Sequence, residues 1–143
     1  MAAWLRAALG GEPVTIHGDG GQTRDFVFVG DLAAAVVAAL DAPEDVVAGE
    51  LFQVGTGRET TINELAIAIG DAVGRPLEIR HAPARAGDVR RNVSRVDKAA
   101  AALGYRAAVG LQDGLVETAR WFASALADPA LATVVPHVAS GSE

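Results

Sequence analysis

One arginine sits where the chain could hold an anion still. Val14-Thr15-Ile16 is a short β-prone run. It enters a turn at Gly18, Gly20 and Gly21, three residues free to take positive φ. Arg24-Asp25 follows, and then a second β-prone run, Phe26 to Val29. An arginine at the mouth of a strand can lean over a ligand while the strand fixes its base. Its guanidinium is always charged and presents a rigid fork of donors that matches phosphate. The same arginine can equally form a surface ion pair with Asp25 or Asp19, since isolated charges commonly sit on solvated faces.

Most other chemistry lacks its residues. With no cysteine there is no disulfide, thiolate metal site or cysteine nucleophile. His17, His81 and His137 have no metal-ligand spacing, and His-Glu-x-x-His, Gly-x-Ser-x-Gly and Walker patterns are absent. A dinucleotide fingerprint needs a third glycine after Gly18-Asp19-Gly20 or Gly55-Thr56-Gly57, but Thr23 and Thr60 stand there. Both glycine pairs therefore read as turns. Glu44-Asp45 falls in loop-like sequence and reads as solvated. Arg90-Arg91 with Arg95 is a local basic cluster, but the net charge is −6. Ion pairing suits the cluster better than nucleic acid does.

Three motifs carry a family resemblance. Ile16-x-Gly18-Asp19-Gly20-x-Gln22-x-Arg24-Asp25-Phe26-Val27-x-Val29 comes first, then Phe52-Gln53-Val54-Gly55-Thr56-Gly57, then Pro83-x-Arg85-x-Gly87-Asp88. In this order and near this spacing they resemble the extended short-chain dehydrogenase/reductases, the NAD-dependent sugar-nucleotide epimerases and dehydratases. The likeness covers about residues 1 to 125 and only the C-terminal part of such an enzyme. It implies an α/β fold of mixed short strands and helices, the substrate-binding part, with the Rossmann cofactor lobe missing. It also implies a nucleoside diphosphate sugar as ligand, a UDP-sugar first, and NAD as cofactor of the full-length family but not of this chain.

Carried over position by position, Arg24 and Arg85 match the arginines on the diphosphate, and Asp88 matches the carboxylate on the ribose. Thr15 and His17 match the segment whose backbone flanks the base. Without a ligand, Arg85 and Asp88 could instead pair with each other across Gly87. The family's Tyr-x-x-x-Lys pair is absent: four residues after Tyr105 comes Val109, and Lys98 precedes it. Tyr105 reads as packed near a helix end. No catalytic residue is expected here, and the chain alone is expected to be inactive. The Gly-x-x-Gly-x-x-Gly variant is also absent, Gln53 replaces the family's usual asparagine, and Gly30 replaces a commoner polar residue. The full family enzyme is an isomerase or a dehydratase. The same motifs also allow a stand-alone sugar-nucleotide-binding module or an inactive structural relic.

The elements that must position these residues follow from pattern. At 143 residues, half of them hydrophobic and 21% charged, one globular domain is expected. Residues 1–127 are expected to form it, with 128–143 as a frayed tail. Alanine abundance predicts a core of small side chains. No targeting or membrane-spanning stretch is visible, and a cytoplasmic setting is compatible with the cysteine-free composition.

A helix is expected from Ala2 to Leu9, stopped at Gly10-Gly11. Strands are expected at Val14–Ile16, Phe26–Val29, Leu51–Val54 and Leu77–His81. Asp31 is expected to cap a helix bearing Leu32, Val36, Ala39 and Leu40. Thr61 and Glu64 form a capping-box pattern before Ile62, Leu65, Ile69 and Val73. Ser94 and Asp97 repeat the pattern before a short helix ending at Gly104. Leu111, Leu115, Ala119, Phe122 and Leu126 lie on one face of a last helix. The Asp31 helix and Leu51–Val54 are expected to lack cover within this chain, which predicts self-association or weak stability.

Overall fold

The computed structural model describes residues 1–128. The expected tail and His137 lie, except for Asp128, outside the described residues. The chain begins with α1 (Ala2–Gly10), which ends where Gly11 takes φ 79°. Strand β1 (Val14–His17) turns Val14 and Ile16 inward and leaves Thr15 and His17 on the opposite face, as the two-residue period of a strand demands. After the glycine turn come β2 (Thr23–Arg24), α2 (Val29–Asp41), the short α3 (Glu44–Val47) and β3 (Thr60–Thr61). Then follow α4 (Ile62–Val73), β4 (Ile79–Ala82), α5 (Asp97–Leu103) and α6 (Leu111–Ala127).

Strands β1 and β4 pair in parallel, from Val14 opposite Ile79 to His17 opposite Ala82. Parallel neighbours need a crossover, and residues 18–78 supply it. The two carboxyl ends therefore open on the same side. Strands β2 and β3 form a short antiparallel pair, Thr23 opposite Thr61 and Arg24 opposite Thr60.

The main core joins α1, α4 and α6. Leu5 and Ala8 meet Leu65, Ile69, Leu115, Ala119, Phe122 and Ala125, all buried. Helix α4 is fixed at its start by the expected capping box. The Thr61 hydroxyl accepts from the Glu64 amide at 3.1 Å, and the Glu64 carboxylate accepts from the Thr61 amide at 2.7 Å. Gly74 closes α4 in the left-handed region. A second, smaller cluster joins α2 to α5 through Ala35, Ala99 and Tyr105, flanked by Phe52 and Val54.

Several expectations are corrected. Phe26–Val29 is not a strand: it has no ladder partner, and α2 already begins at Val29 with Phe28 extended as its N-cap residue. Asp31 therefore sits inside the first turn, buried, and does not cap α2. Its carboxylate accepts instead from the amides of Ala108 and Val109, each at 3.1 Å. Leu51–Val54 forms no strand among the described residues, because no neighbouring strand is there to pair with it. Val96, not Ser94, precedes α5 as its N-cap residue, and no side chain caps that helix. Glu44-Asp45 opens α3 instead of a loop. Of the three turn glycines, Gly18 and Gly20 take positive φ and Gly21 does not.

Candidate functional site

The site is built where β1 and β4 end side by side. The Gly18 amide donates to the Ala82 carbonyl at 2.9 Å, and one ring nitrogen of His81 lies 3.0 Å from the Gly18 carbonyl. The glycine turn is pinned from the other side by α4. The Asn63 amide donates to the Gly20 carbonyl, and its side chain donates to the Asp19 carbonyl at 3.0 Å. A Cβ on Gly20 would lie 2.0 Å from the Asn63 side chain, so this approach requires glycine twice over, for space and for its φ of 71°.

Four of the five expected residues meet there. Arg24 donates to an Asp88 carboxylate oxygen at 2.6 Å. Its other terminal nitrogen donates to the carbonyls of Thr23 and Val89, at 2.7 and 2.6 Å. Arg85 Nη2 lies 2.9 Å from His17 Nε2, and His17 Nδ1 lies 3.2 Å from the Pro83 carbonyl. Arg85 and Asp88 are joined by a tight turn in which Gly87 has φ 77° and the Asp88 amide donates to the Arg85 carbonyl. Thr15 lies on the same outward face of β1, exposed, and hydrogen-bonds to none of the other four.

Two alternatives left open by the sequence are thereby decided. Arg24 pairs with Asp88, sixty-four residues away, and not with Asp25 or Asp19. Arg85 and Asp88 do not pair with each other. Arg85 has no carboxylate partner among the described residues, so none of them neutralises its charge.

Asp19 is taken by Arg90, with oxygens 2.7 and 3.1 Å from the guanidinium. The Arg90 hydrogen bond, with the Gly21 amide, pulls the Asp19 carboxyl down to about 2. Arg91 pairs with Glu59. The expected ion pairing of this basic cluster is therefore present for Arg90 and Arg91.

Two further polar residues belong to the arrangement. Gln22, 92% buried by its 8% exposure, donates to the His17 carbonyl at 3.0 Å and to Asp88 at 3.4 Å. It links the two halves of the site. The only signal for it in the sequence is its place between the glycine turn and Arg24. Asp25 accepts from the Thr56 hydroxyl and from the amides of Thr56, Gly57 and Ser94. Burial alone would raise its carboxyl, but these four donors outweigh that and hold it below the usual range. Gly55 makes the approach possible, since a Cβ there would stand 2.5 Å from the Asp25 carboxylate.

Tyr105 donates its hydroxyl to the Gly55 carbonyl at 2.8 Å. Burial, and then the charges of Asp31 and Asp25, push its phenol up, the wrong direction for a base. A cleft of about 550 Å³ lies away from the β1–β4 mouth, lined among others by Thr56, Arg58, Asp97, Tyr105 and Arg106. No group of three His, Asp or Glu residues able to hold a metal occurs among the described residues.

The NAD dependent epimerase/dehydratase family model matches residues 1–55. A UDP-glucose 4-epimerase of Mycolicibacterium smegmatis is 43% identical over 124 residues, which are 85% of this chain and 38% of that protein. The chain carries a portion of the NAD-dependent epimerase/dehydratase fold. It superposes on the Thermotoga maritima UDP-glucose 4-epimerase, crystallised with UDP-glucose, with a TM-score of 0.79 and 36% identity. That match covers 86% of this chain and 38% of the other.

The Bacillus cereus UDP-glucuronic acid 4-epimerase, in complex with UDP-glucuronic acid and NAD, gives a TM-score of 0.80 at 27% identity, over 87% of this chain and 40% of that one. The chain thus spans well under half the length of the epimerases it matches. What is present is a partial α/β domain of the extended short-chain dehydrogenase/reductase type. No helix among the described residues is long and apolar enough to cross a membrane.

Proposed function

We propose that this chain is the C-terminal, nucleoside-diphosphate-sugar-binding portion of an NAD-dependent sugar epimerase or dehydratase. One observation carries the reading. Arg24, Arg85 and Asp88 come together at the carboxyl ends of β1 and β4, and Arg85 brings a charge that no carboxylate among the described residues balances. A diphosphate is the complementary ligand, with Arg85 supplying the free fork. Arg24 is already tied to Asp88 and two carbonyls, so it contributes a fixed positive edge more than a mobile clamp. Asp88 presents its carboxylate to a ribose diol, and the outward face at Thr15 and His17 flanks the base. A UDP-sugar is the first candidate, in keeping with the UDP-sugar complexes of the similar epimerases.

NAD does not fit the residues present. A pyrophosphate site needs a glycine turn feeding a helix whose first amides are open. The turn after β1 feeds β2, not a helix. The turn at Gly55–Gly57 precedes α4, but there the Thr61–Glu64 capping box already serves the helix start. Cofactor binding and hydride transfer are therefore assigned to a Rossmann-type lobe outside this chain, and the chain alone is inactive. That lobe would cover α2, where Val29, Val36 and Leu40 are more than half exposed, and Leu51, which is 76% exposed. Residues 1–127 form the binding unit. Without the lobe, self-association covers the same face. A stand-alone nucleotide-sugar-binding module remains the second reading, favoured by the same uncompensated Arg85.

Calorimetry with UDP tests the site. The wild-type chain binds weakly, because one wall is missing and the site is only partly organised. Arg85→Ala weakens binding by about tenfold or more, from the loss of a charge-assisted contact of roughly 1.5–3 kcal/mol. Arg85→Lys recovers only part, since an ammonium lacks the planar fork. Equal affinity of wild type and Arg85→Ala would rule the assignment out.

A further inference from the structure

His17 does more in this site than flank a base. Its Nε2 lies 2.9 Å from Arg85 Nη2 and its Nδ1 lies 3.2 Å from the Pro83 carbonyl. An arginine has only donors to offer. Nε2 must therefore accept, and it can do so only when it carries no proton. The Pro83 carbonyl is an acceptor, so the proton belongs on Nδ1. One species satisfies both contacts: the neutral imidazole with Nδ1–H. A protonated ring would place a donor on Nε2 directly against the guanidinium, two cations at hydrogen-bond distance.

We propose that neutral His17 is the positioning residue for Arg85, and that its protonation releases Arg85 and weakens binding of a nucleoside diphosphate sugar. The binding consequence rests on the reading of Arg85 as a diphosphate ligand. The positioning itself does not. Arg85 is otherwise poorly restrained: it lies on an exposed turn with no carboxylate partner among the described residues. One hydrogen bond to His17 fixes its direction, and four of its five N–H donors stay available for an anion. Gln22 holds the His17 carbonyl and reaches Asp88, so one side chain bridges the backbone of His17 and the Arg85–Asp88 turn.

The other charged groups around His17 are accounted for. His81, at the end of β4, points one ring nitrogen at the Gly18 carbonyl and not at Arg85. Asp19 is held by Arg90 on the glycine turn. Asp88 is held by Arg24. None of these offers Arg85 a second anchor.

Two measurements test the proposal. The first needs no ligand. The ring ¹⁵N spectrum of His17 at neutral pH shows protonated Nδ1 and bare Nε2, and Arg85→Ala shifts that titration. A ring found as the Nε2–H tautomer, or a titration indifferent to Arg85→Ala, overturns the positioning role.

The second measurement is UDP-glucose affinity at about pH 7.5 and about pH 5.5. UDP-glucose is chosen because both its phosphates are esterified and keep their charge over this range. Wild type loses about tenfold in affinity on acidification, the equivalent of one charge-assisted contact. His17→Ala binds at neutral pH about as weakly as wild type does in acid. His17→Gln, whose amide oxygen can still accept from Arg85 but cannot titrate, recovers most of that loss and abolishes the pH dependence.

Tighter binding in acid would mean that the imidazolium itself meets the phosphates, and would overturn the release step. So would a pH dependence that survives in His17→Gln, which would point to His81. If UDP-glucose fails to bind at every pH while the ring spectrum is as described, the ligand reading falls with the release step and the positioning of Arg85 stands.

Discussion

Two halves of this molecule use the same alanine-rich vocabulary and are held together by different forces. The half built from α1, α4 and α6 closes on itself. Leu5, Ile69 and Leu115 are at most 2% exposed, and Ala8, Ala119 and Ala125 let the helices approach closely between them. The only hydrophobic side chains that the half built from α2, α5 and the 51–57 segment buries are those of Ala35, Ala99 and Tyr105. Its joints are polar: Asp25 to the 56–57 turn and Ser94, Asp31 to Ala108 and Val109, Tyr105 to Gly55. Apolar residues on α2 face outward instead. Apolar burial is non-directional and needs a second surface. Where less apolar surface is covered, directional bonds carry more of the shape. The candidate site lies at the seam, with β1 and β4 supplying its floor and the Arg85–Asp88 turn its rim.

The contrast can be broken first in the closed half. Ile69→Ala should cost about 2 to 5 kcal/mol, the range for truncating a buried aliphatic side chain in a core that relaxes little, read by denaturant unfolding. A cost comparable to that of a surface substitution would mean the core is not the closed unit described here.

A smaller effect is expected from acid, and it should be local to the open half. Asp25 has a depressed folded-state pKa. Its contribution is therefore fully present above the ordinary aspartate value near 3.9 and is lost as pH falls through the lower folded value. Amide exchange at Thr56, Gly57 and Ser94 should accelerate in that window, before the amides of α4 and α6 do. In Asp25→Asn those three amides should already exchange faster at neutral pH. Uniform acceleration over both halves would erase the distinction.

The smallest effect on stability belongs to Leu40→Ser. Leu40 is 79% exposed on α2, so folding stability should change by no more than about 0.5 kcal/mol. Self-association, followed by sedimentation at increasing concentration, should fall, because a contiguous apolar patch drives it. A wild-type chain that stays monomeric at all concentrations would contradict the open-face account.

The same division explains what could be read in advance. Helices α1, α4 and α6 were legible because each carries its own period, and two of them carry boundary signals as well: Gly11 stops α1, while the Thr61–Glu64 box starts α4 and Gly74 stops it. Strands β1 and β4 were legible as alternating or β-prone runs bounded by turns. In the open half the local signals misled. Leu51–Val54 has the composition of a strand, but a strand exists only with a partner, and none is present among the described residues. Phe26–Val29 failed for the same reason. Asp31 had the right type for a cap, yet α2 starts two residues earlier and turns that carboxylate onto the 108–109 backbone.

At the site, the residue types were visible from motif, but their pairing was not. Nothing local distinguishes Asp19, Asp25 and Asp88 as partners for Arg24; the choice is made by the β1–β4 crossover, which brings residues some sixty positions apart to one point. Gln22 was hidden because a glutamine in a turn usually faces water, and only the fold buries it.

The central claim is that the seam between the halves is a nucleoside diphosphate site. It is tested most directly by titrating the ¹⁵N-labelled chain with UDP to about millimolar concentration, where a weak site still responds. The account predicts progressive shifts at His17, Gly18, Arg24 and Arg85 to Asp88, with the amides of α1 and α6 unmoved. Spectra in which those residues do not respond at millimolar UDP would contradict it.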